Sequence, residues 1–324
     1  MASGTIGRPS RLRTYLELVR FSHTIFALPF AIMAALVAAR FGADQAPADG
    51  QAWPPWMRLC VGILACMVSG RTAAMAFNRL VDRTIDAANP RTAVRHLPRG
   101  VVGVGEVVLL IVGSCGVFIA ATLLFLPNWL PLVLSVPVLA WLLGYSYAKR
   151  FTALAHIWLG TALGLAPVAA WIALRGQTLL RDPADILPAA ILGIAVTAWV
   201  SGFDIIYATQ DYEFDRRQGL HSLVVRWGPK NALGVAFIAH LLLWILLAVF
   251  GALAAFRLAY WLGLVVIGVL LLAEHLLARR RDTRSVNIAF FKLNGTISAL
   301  FLGLVAVEVM FPWFRLQWAD SLFR

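Results

Sequence analysis

The chain has 324 residues, of which 60% are hydrophobic, and a mean hydropathy of +0.79. This composition excludes an ordinary soluble domain. The net charge of +12 comes neither from a soluble basic domain nor from a patch of interleaved basic and aromatic residues, so we expect no nucleic-acid partner.

Apolar runs of about 18 residues or more, the length that spans a bilayer, recur along the chain. We predict nine membrane spans, at residues 22–40, 57–78, 103–125, 129–147, 154–174, 186–207, 232–254, 258–277 and 290–312. Prolines interrupt the fourth and fifth spans, which membrane helices tolerate where neighbours satisfy the freed backbone groups. The predicted fold class is therefore all-α, a polytopic membrane protein with about nine transmembrane helices around a central cavity that opens to the cytoplasmic side.

Lysine and arginine are concentrated in the N-terminal segment and in every second loop. The positive-inside rule places these segments in the cytoplasm and accounts for most of the net charge. We expect residues 1–13 to form a basic cytoplasmic tail without a cleavable signal peptide. Residues 14–324 are expected to form a single multi-pass domain in the cytoplasmic (inner) membrane, with its site on the cytoplasmic side.

Two groups of acidic residues stand at the predicted cytoplasmic ends of the second and sixth spans, in a chain with only 16 Asp and Glu. The first group is Asn78-x3-Asp82-x3-Asp86. Residues four apart lie on one helix face, so these side chains form a column of oxygens. Carboxylates stacked in this way repel unless a cation lies between them, and Mg²⁺ accepts such oxygens together with substrate phosphates.

The second group, Tyr207-x3-Asp211-x3-Asp215, has the same spacing and begins 129 positions further on (78 to 207). A weak internal duplication with the site between the two halves would explain the repeat. The predicted metal-binding and catalytic carboxylates are Asp82, Asp86, Asp211 and Asp215.

Basic residues stand next to both groups and are predicted to bind diphosphate. They are Arg91 and Arg95 after the first group, and Lys149 and Arg150 after the fourth span. Arginine suits this role because its planar fork of donors matches phosphate oxygens. The same cations could instead form purely structural ion pairs with the carboxylates, which would explain the charges but not the column spacing.

Arg71 lies seven residues before Asn78 on the same helix face, deep in an apolar span where an unpaired charge is costly. It either pairs with a carboxylate such as Asp204 or faces a polar cavity and binds an anionic group, for which an aromatic carboxylate is suitable. Tyr147 and Asn294 lie near the same membrane depth and are further candidates for contact with this substrate.

At these residues the chain resembles the UbiA superfamily of intramembrane aromatic prenyltransferases. The matching motifs are Asn78-x3-Asp82-x3-Asp86 with Arg95 beyond it, and Asp204-Ile-Ile-Tyr207-Ala-Thr-Gln-Asp211-x3-Asp215. Segments 20–29 and 290–295 look like the 4-hydroxybenzoate polyprenyltransferase-like branch, part of which serves menaquinone synthesis by the futalosine route. Many relatives have Asn-Asp where this chain has Asn78-Arg79, but the column survives this departure and we expect activity to be kept.

The resemblance implies Mg²⁺-dependent transfer of a polyprenyl group from polyprenyl diphosphate to a small aromatic acid of the 4-hydroxybenzoate type. Metal and arginines would neutralise the leaving diphosphate, and the aromatic ring would attack the allylic cation. Asn78 and Tyr207 would orient the metal shell, the diphosphate or the ring, and Asp204 would bind the acceptor or support Arg71. The lipid bilayer is the remaining partner, and no obligate protein partner is implied.

Two alternatives stay open. The acceptor could be a carboxylated dihydroxynaphthalene, which would place the same chemistry in menaquinone rather than ubiquinone synthesis. A transporter would also show internal duplication and intramembrane charges, although transporter sites usually lie near the midplane and these carboxylates lie at one face.

Overall fold

The computed structural model describes residues 10–19, 28–42, 55–280 and 282–310, and these residues contain helices and no strand. The helices are α1 (Arg11–Leu18), α2 (Leu28–Arg40), α3 (Pro55–Val81), α4 (Arg83–Ala88), α5 (Val104–Thr122), α6 (Leu130–Gly144), α7 (Ala155–Arg181), α8 (Leu187–Ala208), α9 (Tyr212–Arg217), α10 (Leu223–Leu253), α11 (Leu258–Ala278), α12 (Thr283–Asn287) and α13 (Asn294–Met310). Short 3₁₀ segments occur at Leu123–Phe125, Tyr145–Arg150, Pro183–Ile186 and Thr209–Asp211, and a π-helix occurs at Ile288–Leu293. The predicted all-α class is confirmed.

Eight segments of the described residues are long and apolar enough to cross a membrane. They are Trp56–Val81, Val104–Phe125, Leu130–Arg150, Ala155–Arg181, Pro183–Arg217, Leu223–Leu253, Leu258–Ala278 and Arg284–Met310. They correspond to eight of the nine predicted spans, and the protein is a multi-span membrane protein. The predicted span at 22–40 appears only as the 13-residue α2, because residues 20–27 lie outside the described residues, as do residues 1–9 of the predicted tail.

Helix α8 is the most deeply buried spanning helix, and it packs closely against α7 through glycines. A Cβ atom at Gly193 would lie 2.8 Å from the carbonyl oxygen of Gly164, and one at Gly160 would lie 2.5 Å from Ser201 Oγ. Only glycine allows this approach, in the way that small residues let membrane helices pack. The relative position of α7 and α8 is therefore tightly constrained.

Aromatic rings fill the centre of the bundle, while the outward faces of the spanning helices stay apolar. The ring of Phe30 on α2 lies 5.1 Å from that of Trp199 on α8 and 5.8 Å from that of Phe301 on α13, measured between centroids. On α5, Leu109 is 74% exposed and Val112 is 64% exposed. Exposed apolar residues on a long helix are suited to lipid contact rather than to water.

The two ends of the bundle differ in charge. At one end α3 and α8 finish and are followed by the short helices α4 and α9, which carry the motif aspartates; we refer to this as the acidic end. At the opposite end, Arg175 interrupts α7 with φ −125° and ψ 23° and pairs with Asp185 at 2.6 Å between Nη2 and Oδ1. Trp171 Nε1 donates to Asp185 Oδ2 at 2.9 Å, so this end is closed by a buried ion pair.

Candidate active site

The first acidic motif bends at its middle residue but keeps its column. The prediction of one continuous helix is wrong here, because α3 ends at Val81 and Asp82 takes φ −90° and ψ 8° before α4 begins. The i to i+4 backbone bonds nevertheless continue, from Asp82 N to Asn78 O at 2.9 Å and from Asp86 N to Asp82 O at 2.7 Å. Asn78 Nδ2 donates to Asp82 Oδ2 at 2.9 Å. Arg150 Nη2 donates to the Val81 carbonyl at 2.7 Å and so occupies an acceptor near the helix end.

The second motif bends at the equivalent position. Helix α8 ends at Ala208, a 3₁₀ turn covers Thr209–Asp211, and Asp211 takes φ −101° and ψ 3° before α9. Thr209 Oγ1 bonds back to the Ile206 carbonyl at 2.6 Å, a contact that commonly bends helices. The same distortion at Asp82 and Asp211, 129 positions apart (82 to 211), is consistent with the predicted internal duplication.

Each motif aspartate faces a cation. Arg95 Nη1 donates to both oxygens of Asp86 at 2.6 Å, and Arg150 Nη2 lies 3.5 Å from Asp82 Oδ1. In the second motif, the Lys149 ammonium lies 3.7 Å from Asp215 Oδ2. Lys149 and Arg150 are adjacent in the 3₁₀ segment Tyr145–Arg150, so this one segment contacts both motifs.

Arg91 makes the strongest connection between the two halves. Its Nε donates to Asp211 Oδ1 at 2.8 Å, its Nη2 pairs with Asp211 Oδ2, and its Nη1 donates to the Tyr207 hydroxyl at 2.8 Å. Its guanidinium carbon lies 5.2 Å from the centre of the Tyr207 ring. Phe290 of the π-helix also packs against the Tyr207 ring, at 4.4 Å between ring centroids. The loop that follows the first motif is therefore joined to the second motif through Arg91.

The electrostatics at this junction follow from burial and from the paired charges. Burial first, and then the charge of Asp86, raises the pKa of Asp82 above that of an ordinary aspartate, while Arg150 and Lys149 oppose this rise. Burial acts to lower the pKa of Arg91, but its hydrogen bond to Asp211 and the charge of that carboxylate outweigh burial, so the pKa of Arg91 is raised. Arg91 therefore stays charged, while Asp82 is a buried carboxylate with both a like charge and opposing cations beside it.

Two residues that the sequence reasoning did not assign to the site belong to it. Arg79, noted only as a departure from the family motif, is 6% exposed, donates to Asn78 Oδ1 at 3.3 Å and lies 3.7 Å from Asp86 Oδ2. Asn89 is buried and donates to Asp211 Oδ1 at 3.4 Å. In the sequence, the only indication of this role was that both residues are polar and stand next to the first motif. Glu213, which lies between Asp211 and Asp215 in the sequence, is exposed.

An apolar cavity of about 290 Å³ lies between α3, α5, α6 and α7. Arg71 is the only charged residue among the described residues that line it, and Tyr145 lines it as well. Along α3 the lining extends from Ile63 to Met75, about 18 Å at 1.5 Å per residue. Arg71 therefore lines a cavity, as one of the two predicted alternatives required, but this cavity is apolar where a polar one was predicted.

The other predicted acceptor contacts have different surroundings. Asp204 pairs with His156, at 2.6 Å between Oδ2 and Nδ1, rather than making a described contact with Arg71. Tyr147 is 43% exposed, and its ring lies 5.9 Å from that of Phe77. Neither residue, nor Asn294, lines the cavity.

Asn294 is fully buried in a polar network. Its Oδ1 accepts from Trp199 Nε1 at 2.6 Å, and its Nδ2 donates to Glu274 Oε1 at 2.9 Å and to the Ala289 carbonyl at 3.1 Å. His240 lies 3.8 Å from Glu274. In this arrangement Asn294 ties α8, α11 and the π-helix together, and a contact with the acceptor stays a prediction.

The residues at the acidic end fit magnesium. Among the described residues, no three His, Cys, Asp or Glu side chains converge into a protein-only metal cage. Magnesium does not require one, since it is usually held by one or two carboxylates plus substrate phosphate oxygens and water. The available donors are all oxygens, and the charge of Asp86, which adds to burial in raising the pKa of Asp82, is one that a nearby cation would offset.

Comparison with known proteins supports this interpretation. The UbiA prenyltransferase family model matches residues 27–296. A 4-hydroxybenzoate octaprenyltransferase of Xanthomonas euvesicatoria pv. vesicatoria is 31% identical over 301 residues, covering 93% of this chain and 93% of its own length. Another, from Xanthomonas campestris pv. campestris, is 30% identical over 266 residues, covering 78% of this chain and 85% of its own length.

Solved structures with the same fold include two archaeal proteins. A UbiA homologue from Aeropyrum pernix K1, in its apo form, has a TM-score of 0.76 and 29% identity, covering 89% of this chain and 98% of its own. A UbiA homologue from Archaeoglobus fulgidus bound to DMAPP and Mg²⁺ has a TM-score of 0.65 and 21% identity, covering 92% of this chain and 99% of its own.

Proposed function

The chain belongs to the UbiA prenyltransferase family, and we propose that it transfers a polyprenyl group from polyprenyl diphosphate to an aromatic acid of the 4-hydroxybenzoate type, with Mg²⁺ as cofactor. The observation that carries the proposal is that Arg91, in the loop after the first motif, pairs with Asp211 of the second, while Arg150 and Lys149 contact the first and second motifs respectively. The relatives named 4-hydroxybenzoate octaprenyltransferase support the acceptor, and the homologue bound to DMAPP and Mg²⁺ supports the donor class and the metal. The transporter alternative is not retained, because the protein is a prenyltransferase.

The four motif aspartates are proposed to hold the metal: Asp82, Asp86, Asp211 and Asp215. When bound, Mg²⁺ would neutralise charge that develops on the leaving diphosphate as its C–O bond breaks. The cations that face these aspartates would then turn toward the diphosphate oxygens: Arg91, Arg95, Lys149 and Arg150. Asn78 and Tyr207, each hydrogen-bonded to a neighbour in the site, would orient the first and second columns, respectively.

Arg71 is proposed to bind the carboxylate of the acceptor, and the apolar cavity beside it to hold isoprenoid. Arg71 is the charged residue among the described residues that line this cavity, and its planar fork of donors matches a carboxylate. Asp204, Tyr147 and Asn294 complete the proposed acceptor side. This arrangement brings a lipid-soluble donor and a water-soluble acid together at the acidic end.

The orientation proposed from the loop charges places the acidic end and the N-terminus in the cytoplasm, with the protein in the inner membrane. A cytoplasmic acidic end would give the aromatic acid and Mg²⁺ direct access from water. Accessibility of single cysteines at Glu213 and Asp182, exposed residues at opposite ends of the bundle, to a membrane-impermeant thiol reagent tests this orientation.

The direct test of function uses membranes that contain the full chain, a polyprenyl diphosphate and Mg²⁺. 4-Hydroxybenzoate and a carboxylated dihydroxynaphthalene are supplied in parallel, and membranes with the Asp82→Asn variant provide the control. We expect metal-dependent prenylated 4-hydroxybenzoate from the natural chain and none from the variant. A naphthoate product alone would move the protein to menaquinone synthesis, and no product from any aromatic acid would overturn the proposed acceptor class.

A further inference from the structure

Asp204 and His156 form a pair that the roles above do not explain. His156 is fully buried in the first turn of α7, and its Nδ1 lies 2.6 Å from Asp204 Oδ2 on α8. The Asp204 side chain is 21% exposed. The four motif aspartates each face lysine or arginine, whereas the hydrogen-bond partner of Asp204 is a histidine.

Asp204 has one neighbour in the diphosphate cluster and one in the cavity wall. It lies on α8 seven residues before Asp211, with the end of α8 and the 3₁₀ turn Thr209–Asp211 between them. Lys149 and Tyr145 both interact electrostatically with Asp204. Tyr145 in turn lines the cavity beside Arg71. An aromatic acid held by Arg71 next to the diphosphate would therefore have Asp204 among its polar neighbours.

The second nitrogen of His156 indicates which proton the pair carries. His156 Nε2 is buried and has no hydrogen-bond partner among the described residues. A buried N–H of a charged imidazolium left without a partner is more costly than a buried lone pair of a neutral ring. The arrangement therefore favours a neutral imidazole that donates from Nδ1 to Asp204 Oδ2, which leaves Oδ1 without a donor among the described residues.

The pair is also held rigidly, as a proton acceptor must be. Ser201 Oγ donates to the His156 carbonyl at 3.2 Å, and it packs against Gly160 in the close α7–α8 contact. The backbones on both sides of the pair are fixed by this contact, so His156 sets the orientation of the Asp204 carboxylate. Geometry of this kind is what general base catalysis requires.

We propose that Asp204 is the base that accepts the hydroxyl proton of the aromatic acceptor, and that His156 is its positioning residue; this inference rests on the proposed function. As the proton moves to Asp204 Oδ1, the ring electrons form the new C–C bond to the allylic carbon, and the C–O electron pair leaves with the diphosphate. The resulting ketone regains its aromatic ring when the ring C–H proton moves to oxygen. Asp204 then releases its proton to water, so that one proton leaves per turnover.

The test compares two acceptors on the full chain in membranes: 4-hydroxybenzoate, and a fluorinated 4-hydroxybenzoate whose hydroxyl is already ionised at the assay pH. Asp204→Asn should lower kcat for 4-hydroxybenzoate by about 100-fold or more, the contribution typical of a general base. It should leave the donor KM unchanged, and the fluorinated acceptor should recover most of the lost rate because it needs no base.

His156 is tested by a matched pair of variants. His156→Asn keeps an N–H donor near the position of Nδ1 and should retain more activity than His156→Leu, which removes it. The double variant Asp204→Asn with His156→Leu should be no slower than Asp204→Asn alone, because the two residues act as one unit.

Three outcomes would overturn the inference. They are a natural rate for Asp204→Asn, an equal loss on both acceptors, and additive losses in the double variant. Failure of the proposed function would look different from these three outcomes, because the natural chain would then prenylate neither aromatic acid. In that case the inference about Asp204 would fail together with the proposed function.

Discussion

Replacing Asp211 by asparagine removes one negative charge at the junction of the two motifs with almost no change in shape. Asp211 accepts from Arg91 Nε at 2.8 Å and from Asn89 Nδ2 at 3.4 Å. Asparagine has one acceptor oxygen and cannot replace both oxygens that pair with Arg91; loss of a hydrogen bond to a charged group costs about 1.5–3 kcal/mol, and we expect the stability of the protein to fall by about this amount. The loss in turnover should be larger, about 100–1,000-fold in kcat, as for other groups that offset charge developing in a transition state.

The assay measures diphosphate release and prenylated aromatic acid side by side, with thermal unfolding of the same preparations. Glu213→Gln is the matched control, because Glu213 is an exposed carboxylate only two residues away on α9. We expect this control to keep both natural turnover and natural stability.

A double variant separates the metal-binding role of Asp211 from the structural ion pair. If Asp211 served only to neutralise Arg91, then removing both charges with Arg91→Gln would restore activity. We expect no restoration, because the double variant would lack both the carboxylate of the metal site and the proposed contact of Arg91 with diphosphate. Recovery of the double variant to within about tenfold of the natural rate, well inside the range expected for a lost electrostatic group, would refute the metal assignment.

Three further predictions follow from the same geometry. Arg71→Ala should raise the acceptor KM about 10–100-fold, since a charged hydrogen bond is lost, and leave the donor KM nearly unchanged when each substrate is varied in turn; equal rises would contradict the assignment. Asp82→Asn should raise the unfolding temperature of chelator-treated protein at pH 8, because the ionised form of a group with a raised pKa destabilises the fold above that pKa. This gain in unfolding temperature should vanish as pH falls toward the ordinary aspartate pKa of about 3.9. A variant that unfolds at a lower temperature than the natural protein at pH 8 would contradict the prediction. Ala166→Trp, in the cavity wall, should slow transfer from long polyprenyl donors about 10–200-fold more than transfer from a dimethylallyl donor, and equal slowing would place the isoprenoid elsewhere.

The membrane spans and the acidic motifs were predictable because both depend on local composition and spacing. A carboxylate beside a long apolar helix stands out in any reading of the sequence, and four-residue spacing puts such groups on one face. The bends at Asp82 and Asp211 were not predictable in the same way. Their causes include Arg150 at the Val81 carbonyl, a contact between residues far apart in the chain.

The contacts between residues that are distant in the sequence could not be predicted, for a related reason. Arg91 and Asp211 are 120 residues apart, and His156 and Asp204 are 48 apart. Periodicity within one helix carries no information about which residues of another helix will lie opposite. The π-helix before α13 could not be predicted either, since its role in placing Phe290 against the Tyr207 ring depends on packing between distant segments.

The pairing of each motif aspartate with its own cation has a thermodynamic consequence for substrate entry. On the proposed roles, a metal ion that takes a carboxylate displaces a lysine or arginine, and that displaced cation needs a new counter-ion. Diphosphate supplies it, and a diphosphate arriving alone would meet cations already engaged by carboxylates. Each ligand therefore increases the affinity for the other by an equal factor, as reciprocal linkage requires. The site takes up metal and diphosphate as a coupled exchange of counter-ions, and after turnover it can return to its charge-paired state as the two leave together.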